Sequence, residues 1–148
     1  MRTKYPPAAR PFVLPYTVGA HDIDAQGRAN NVEILRWMNL AAVAHSLAVG
    51  LDAARYVALG GMFVVRRHEV DYRAPAFHGD KLELRTWPTL MRAATAHRAH
   101  EIVRLADGQM IASGMNVWGF VQPESGRPVR MPQELLDAFD PSRYGAAP

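Results

Sequence analysis

The chain has 148 residues, of which 49% are hydrophobic and 21% charged, and Lys and Arg outnumber Asp and Glu by 17 to 14. This composition is that of an ordinary globular protein and excludes extensive disorder, so we expect one domain with a core over about residues 12–135 and tails at 1–11 and 140–148. The basic residues are interleaved with carboxylates, which argues against nucleic-acid binding. The absence of Cys excludes disulfides, thiolate metal sites and a cysteine nucleophile.

The N-terminal stretch contains basic residues, but prolines at positions 6, 7, 11 and 15 interrupt it before any apolar run develops. We therefore expect no signal peptide. No segment approaches the roughly 18 apolar residues of a membrane span. The expectation is a soluble, cytoplasmic protein.

The first predicted elements are a strand and a long helix. Residues 12–20 have the composition of a strand, and Pro15 within them indicates an edge position, where the missing N–H does no harm. From Asn31 to about Val49, apolar residues recur at steps of three and four and form one stripe. Asn30 is a suitable N-cap and Gly50 a suitable stop, so the spacing predicts one long amphipathic helix between them.

The rest of the chain is predicted to be mostly extended. The segments 62–75, 80–92, 94–106 and 109–121 are rich in β-branched and apolar residues or alternate in polarity, and a short helix is predicted over 132–139. Successive long strands favour an antiparallel sheet, and one amphipathic helix covers one face of it. The predicted class is α+β, with an antiparallel sheet wrapped round one long central helix, which is the hot-dog fold. Apolar and basic side chains near the sheet edge favour a homo-oligomer, either a dimer or a tetramer.

The stretch "HDIDAQGRANNVEILRWMN", residues 21–39, combines two aspartates with a glycine and the predicted helix start. The first turn of a helix presents unpaired N–H groups with a partial positive charge, which are donors for an oxyanion. A carboxylate facing such donors is what attack on an acyl carbonyl requires. Asp and Asn are also ordinary capping residues, so spacing alone does not decide between a capped helix start and a reaction site. It also does not decide whether Asp22 or Asp24 would be the reacting carboxylate.

The same stretch resembles the signature of the acyl-CoA thioesterases of the hot-dog superfamily, in particular the 4-hydroxybenzoyl-CoA thioesterase-like branch and the related acyl-ACP thioesterases. Their motif runs roughly D-x-D-x-x-x-H-x-N-N-x-x-Y/F. The resemblance continues in "VDYRAPAFHGDKLELRT" and "VWGFVQPESGRPVRMP", so that it covers about residues 12 to 135. It implies an acyl-CoA thioesterase that releases a free acid and coenzyme A without a metal or other cofactor.

The resemblance also implies roles for individual residues. Asp24 matches the catalytic aspartate and would act as base or nucleophile. Gly27 matches a turn glycine, and the amide N–H near Asn31 would be an oxyanion donor.

Three positions depart from the relatives. Gln26 stands where acyl-ACP relatives carry Asn, Arg28 where they carry His, and Asn39 where many relatives carry Glu on the helix. Arg28 would be able to pair with Asp24. These departures leave open a non-catalytic acyl-CoA or acyl-carrier binding protein of the same fold. A hydratase is rejected, since that branch resembles D-x-x-x-x-H and Ala29 stands in place of the histidine.

Basic residues are candidates for the anionic coenzyme A moiety of the substrate, because arginine makes bidentate contacts with phosphate. In this fold the strand after the helix commonly passes the partner's active site, which implies coenzyme A contacts for Arg66, Arg67 and His68. Arg92 is a further candidate, and Arg98 a weaker one. Each of them would equally suit a solvated strand surface.

The six histidines do not form a pattern typical of a metal site. His97 and His100 are three residues apart on a predicted strand, so they point to opposite faces and make a poor chelate. His45 lies on the helix stripe, where an interior histidine with satisfied hydrogen bonds is expected. We predict no metal.

Overall fold

The computed structural model describes residue 5 and residues 7–145 of the chain. These residues form five strands and three α-helices: β1 (Phe12–Thr17), α1 (Asn31–Ala48), α2 (Ala53–Ala58), β2 (Met62–Tyr72), β3 (Lys81–Arg92), β4 (Thr95–Arg104), β5 (Met110–Val121) and α3 (Gln133–Ala138). Two 3-10 turns, Ala20–Asp22 and Pro141–Tyr144, complete the set. None of the helices in this part of the chain combines the length and apolar composition that a bilayer span needs.

The strands form one antiparallel sheet in the order β1-β3-β4-β5-β2. β3, β4 and β5 follow one another through hairpins and occupy its middle. β1 and β2 are its edges among the described residues. Pro15 lies in an edge strand, as predicted, and is paired with Glu83 of β3.

Helix α1 forms where the apolar stripe predicted it. The side chain of Asn30 caps its start by accepting a hydrogen bond from the Val32 N–H at 2.8 Å, and Gly50 follows its end with a φ of +83°, which favours glycine. One face of the helix is buried against the sheet, and its members are Ile34, Trp37, Met38, Ala41, Ala42 and His45. The antiparallel sheet with one long helix on it is the predicted α+β architecture.

Two features differ from the sequence prediction. The strand predicted over residues 12–20 ends at Thr17, because the chain turns into the 3-10 turn Ala20–Asp22. The short helix α2 lies in a stretch for which no helix was predicted. Its N-cap Asp52 accepts a hydrogen bond from the Arg55 N–H at 2.8 Å, but none of its residues is buried. A helix without a buried face leaves no apolar periodicity in the sequence.

Ordered structure continues past α3 into residues that sequence analysis assigned to a tail. Residues Pro141–Tyr144 form a 3-10 turn. The hydroxyl of Tyr144 donates a hydrogen bond to the Ala138 carbonyl at 2.8 Å, and the Arg10 N–H donates to the Tyr144 carbonyl at 2.8 Å. The C-terminal turn is thereby held to α3 and to the segment that precedes β1. The rest of the predicted tails, residues 1–4, 6 and 146–148, lies outside the described residues.

Candidate active site

A cavity of about 320 Å³ opens at the N-terminal end of α1. It lies between the loop that leads into the helix, the first turn of the helix, and the chain just after β2. Its lining residues come from these three segments and are Asp24, Gln26, Arg28, Ala29, Asn31, Ile34, Tyr72, Arg73, Ala74, Pro75 and Ala76. Two of the three predicted catalytic positions, Asp24 and Asn31, are therefore in the wall of one cavity.

Asp24 is held by a tight turn of its own loop. Its carboxylate accepts a hydrogen bond from the Gln26 N–H at 2.8 Å, while its N–H donates to the Arg28 carbonyl at 2.9 Å. Gly27 closes the turn by donating its N–H to the Asp24 carbonyl at 3.0 Å. The φ of Gly27 is +82°, a conformation that favours glycine. The turn thus fixes the backbone of Asp24 and leaves one carboxylate oxygen without a protein donor among the described residues.

Asn31 is the first residue of α1. Its N–H is one of the first-turn donors without an intrahelical partner, and no described residue accepts a hydrogen bond from it. Its carbonyl accepts a hydrogen bond from the hydroxyl of Tyr72 at 3.2 Å. Asn31 and Asp24 line the same cavity, so the positive end of the helix dipole lies at this cavity.

Asp22 has a different environment, although it is two residues away. Its carboxylate is fully buried and accepts hydrogen bonds from Tyr16 and Gly19 on one oxygen and from Arg36 and Trp37 on the other. Burial by itself raises the pKa of Asp22, but the hydrogen bonds from Gly19, Tyr16 and Trp37 outweigh it and lower the pKa below its ordinary value. Asp22 joins β1 to α1, and all its acceptor capacity is used inside the fold.

The three residues that differ from those of the relatives line two different cavities. Gln26 and Arg28 line the cavity beside Asp24. No ion pair between Arg28 and Asp24 is present in the described part of the chain. Asn39 lies further along α1, in the wall of a second cavity, and so does not line the one at Asp24.

The four predicted coenzyme A residues do not line the cavity at Asp24. Arg66, Arg67 and His68 lie in the middle of edge strand β2 and are exposed. Arg67 lies 3.8 Å from the carboxylate of Glu69. Arg92 is at the exposed end of β3, in the hairpin to β4. Their role in coenzyme A binding stays a prediction.

Tyr72 and Arg73 line the cavity but were not predicted as site residues. Tyr72 ends β2 and contacts the helix start, and Arg73 follows it, with its Nε donating to the Ser113 hydroxyl at 3.2 Å. The sequence "DYRAP" contained a pattern that would have indicated them. Two large polar side chains, those of Tyr72 and Arg73, stand near the proline at which the strand was predicted to end.

A buried polar group lies on the same face of the sheet as α1. Arg98 is only 8% exposed, so it is not the surface phosphate ligand that sequence analysis weighed. One of its terminal nitrogens, Nη1, donates to Nδ1 of His45 at 2.9 Å and to the Thr86 hydroxyl at 3.1 Å. Since arginine only donates, His45 accepts at Nδ1 and donates from Nε2 to the Tyr144 hydroxyl at 2.8 Å. The prediction of an interior, hydrogen-bonded His45 is confirmed.

His100 lies beside this group and is also buried. Its Nε2 is 3.0 Å from the side-chain oxygen of Asn116, while its Nδ1 is buried with no hydrogen-bond partner among the described residues. Burial lowers the pKa of His45 and of His100 to about 3, and the charge of Arg98 adds to the shift. Both imidazoles are neutral in the folded protein at neutral pH.

The two buried histidines should make the protein less stable in mild acid. In the unfolded chain their pKa returns to about 6.5, so the unfolded state binds more protons between about pH 6.5 and pH 3. The stabilisation is complete above about pH 6.5 and is lost as the pH falls, by up to about 1.4 kcal/mol per pH unit for each histidine. Urea unfolding from about pH 7 to about pH 5 measures this slope. In the His100→Gln variant the slope should fall by up to about 1.4 kcal/mol per pH unit, the contribution of one proton. An unchanged slope would contradict the conclusion that His100 is buried and neutral.

Comparison with known proteins identifies the family. A family model described as the thioesterase-like superfamily matches residues 18–139. No protein of curated function matches the sequence.

Solved structures share the fold at low sequence identity. A 1,4-dihydroxy-2-naphthoyl-CoA thioesterase from Synechocystis is 19% identical, with a TM-score of 0.81 over 88% of this chain and 96% of that one. The Dynemicin thioesterase is 20% identical, with a TM-score of 0.82 over 93% and 99%. A gentisyl-coenzyme A thioesterase is 19% identical, with a TM-score of 0.74 over 85% and 98%. The chain therefore belongs to the thioesterase-like superfamily, and the prediction of a thioester hydrolase with the hot-dog fold is confirmed at the level of that family.

Proposed function

We propose that this protein is an acyl-CoA thioesterase whose reaction takes place in the cavity between Asp24 and the start of α1. The observation that carries the proposal is that Asp24 and Asn31, the first residue of α1, line one cavity of about 320 Å³. A negative side chain and the electropositive end of a helix then face the same space. A thioester carbonyl in that space would meet a base or nucleophile on one side and an oxyanion donor on the other.

The chemistry needs only these two parts and water. When Asp24 acts as base, it takes a proton from water as the water oxygen adds to the thioester carbon. The developing oxyanion accepts a hydrogen bond from the N–H of Asn31. The C–S bond then breaks, the thiolate takes the proton back from Asp24, and a free acid and coenzyme A leave. When Asp24 acts as nucleophile, its carboxylate oxygen adds to the thioester carbon, the C–S bond breaks and coenzyme A leaves as the thiolate. Water then hydrolyses the acyl anhydride to the free acid and the Asp24 carboxylate, and the proton released in this step protonates the thiolate. A carboxylate beside the start of a helix suits either route.

A second copy of the chain would place three of the predicted coenzyme A residues at a subunit interface. Among the described residues β2 is an edge strand, 11 residues long, and an edge strand is a template for pairing with another chain. Pairing of β2 with the β2 of a partner would place Arg66, Arg67 and His68 at the interface between two subunits. We propose on this basis a homodimer, or a tetramer built from such dimers, in which these residues and Arg92 bind the phosphates of coenzyme A.

The test is turnover on a panel of acyl-CoAs with aromatic, short and long acyl groups, measured as free thiol released. We expect hydrolysis of at least one member well above the rate without protein. The same acyl groups on an acyl carrier protein distinguish the two thioester donors. Binding of acyl-CoA without thiol release across the panel would contradict the proposal and favour the non-catalytic binding protein instead.

A further inference from the structure

A second cavity, which we call the apolar pocket, lies at the other half of α1. Its volume is about 510 Å³, and it lies between α1, α2 and the helix-facing side of the sheet, a size typical of small-molecule sites. Most of the side chains around it are apolar, among them Ala42, Val43, Leu47, Val57, Phe63 and Trp118. Three of them are unusually exposed for their type, Val43 at 51%, Leu47 at 57% and Val57 at 75%. The pocket is an apolar surface that the described residues leave uncovered.

The apolar pocket is separate from the cavity at Asp24. The two cavities have no lining residue in common among the described residues. Leu47 of the apolar pocket lies sixteen residues after Asn31, or roughly 24 Å along the axis of α1, and the nearest lining residues on the helix, Ile34 and Asn39, lie five residues or roughly 7.5 Å apart. A ligand in the apolar pocket would therefore not occupy the proposed reaction site.

Two residues with charged side chains line the apolar pocket, Arg98 and Asp52. The Asp52 carboxylate caps α2 by accepting a hydrogen bond from the Arg55 N–H. Arg98 is 8% exposed, and no carboxylate of the described residues lies within ion-pair distance of it. Its Nη1 donates hydrogen bonds to His45 and Thr86, whereas Nε and Nη2 have no acceptor in the described part of the chain. The ring of Phe139 lies 5.3 Å from the guanidinium carbon, which offsets part of the burial cost.

A buried cation without a counter-ion is costly to a fold. Burial lowers the pKa of Arg98 to about 10, so the guanidinium still carries its charge at neutral pH. The neighbouring His45 adds no negative charge, since it is neutral. The chain thus supplies an apolar space and a positive charge in its wall, and the described carboxylate in the same wall, Asp52, caps α2 and forms no ion pair with that charge.

We propose that the apolar pocket binds an apolar carboxylic acid, with its hydrocarbon part against α1 and α2 and its carboxylate on the free N–H groups of Arg98. A carboxylate matches the fork of donors that arginine presents. The hydrocarbon would cover Val43, Leu47 and Val57. This site goes beyond the proposed thioesterase activity and does not depend on it.

The test measures binding of decanoate to the full chain by calorimetry, below the micelle concentration, with decanol as the uncharged match. We expect decanoate to bind and decanol to bind at least about tenfold more weakly, since the charge-assisted hydrogen bonds are lost. Arg98→Met should remove this preference. Equal binding of the acid and the alcohol, or no binding of decanoate, would overturn the proposal.

A second pair of variants keeps the test valid if Arg98→Met fails to fold. Leu47→Glu places a negative charge at the mouth of the apolar pocket, and Leu105→Glu makes the same change at a leucine of similar exposure, 57% against 52%, that does not line it. Decanoate affinity should fall at least about tenfold in the first and stay unchanged in the second. Asp24→Asn should also leave it unchanged, so that failure here and failure of the thioesterase proposal are distinguishable.

Sedimentation velocity separates this proposal from its main competitor. A dimer that Leu47→Glu dissociates, together with an absence of decanoate binding, would assign this face to a second copy of the chain and overturn the carboxylate site.

Discussion

Asp24→Asn should lower kcat for acyl-CoA hydrolysis by about a hundredfold or more, the loss expected when a general base or nucleophile is removed. Asparagine has the same shape and keeps an acceptor for the Gln26 N–H, which lies 2.8 Å from the Asp24 carboxylate. The turn at Gly27 should therefore survive, and the free energy of unfolding should change little. The measurement is steady-state thiol release, with urea unfolding of the same preparation.

Asp140→Asn is the matched control. The Asp140 carboxylate also accepts a hydrogen bond from the N–H two residues ahead, that of Ser142 at 2.9 Å, but it lies at the C-terminal turn and does not line the cavity. Its kcat should equal that of the parent protein. Near-normal turnover in Asp24→Asn would remove Asp24 from the mechanism and leave the fold assignment intact.

Asp22→Ala should act on stability, with an expected loss of about 3 kcal/mol or more in the free energy of unfolding. The change removes a buried carboxylate and leaves the donors of Tyr16, Gly19 and Trp37 without an acceptor. Because the folded-state pKa of Asp22 is lowered, its contribution is present above the ordinary carboxyl pKa and disappears as the pH falls through the lowered one. Urea unfolding at neutral pH measures the loss.

Asp107→Ala is the control for this second experiment. Asp107 pairs with Arg104 at 3.1 Å, but its side chain is 53% exposed, and exposed ion pairs contribute about 1 kcal/mol or less. A loss in Asp22→Ala no larger than that in Asp107→Ala would show that the buried hydrogen bonds of Asp22 do not hold β1 to α1.

Much of the architecture is predictable from the sequence because burial is one-sided. The stripe of α1 and the alternation in β3 each record a face in contact with the core and a face in contact with solvent. Helix α2 leaves no such record, since none of its residues is buried. The turn at Ala20–Asp22 was missed for another reason. Besides its local hydrogen bonds to Gly19, the turn is held by the Asp22 carboxylate, which accepts from Arg36 and Trp37 on helix α1.

The candidate site was predictable in part. The motif places Asp24 and Asn31 together, because a short loop before a helix keeps its ends close. It did not predict Tyr72, which reaches the helix start from a strand 41 residues further along the chain. The different surroundings of Asp22 and Asp24 also depend on contacts between separate elements, and the spacing of two residues carries no trace of them. Arg98 was a weaker candidate for the coenzyme A phosphates, and its burial depends on the packing of α1 against the sheet, which the sequence around it does not record.

The two neighbouring aspartates have a consequence for how this protein can change over evolutionary time. Asp22 anchors the junction from inside, whereas Ala25, Gln26, Gly27 and Arg28 are all exposed. Substitutions at Gln26 and Arg28 would alter the surroundings of Asp24, the proposed reacting group, at little cost to the anchor beneath it. The loop could therefore change in sequence while the scaffold is preserved, and the departures from the relatives at these two positions fit such a history.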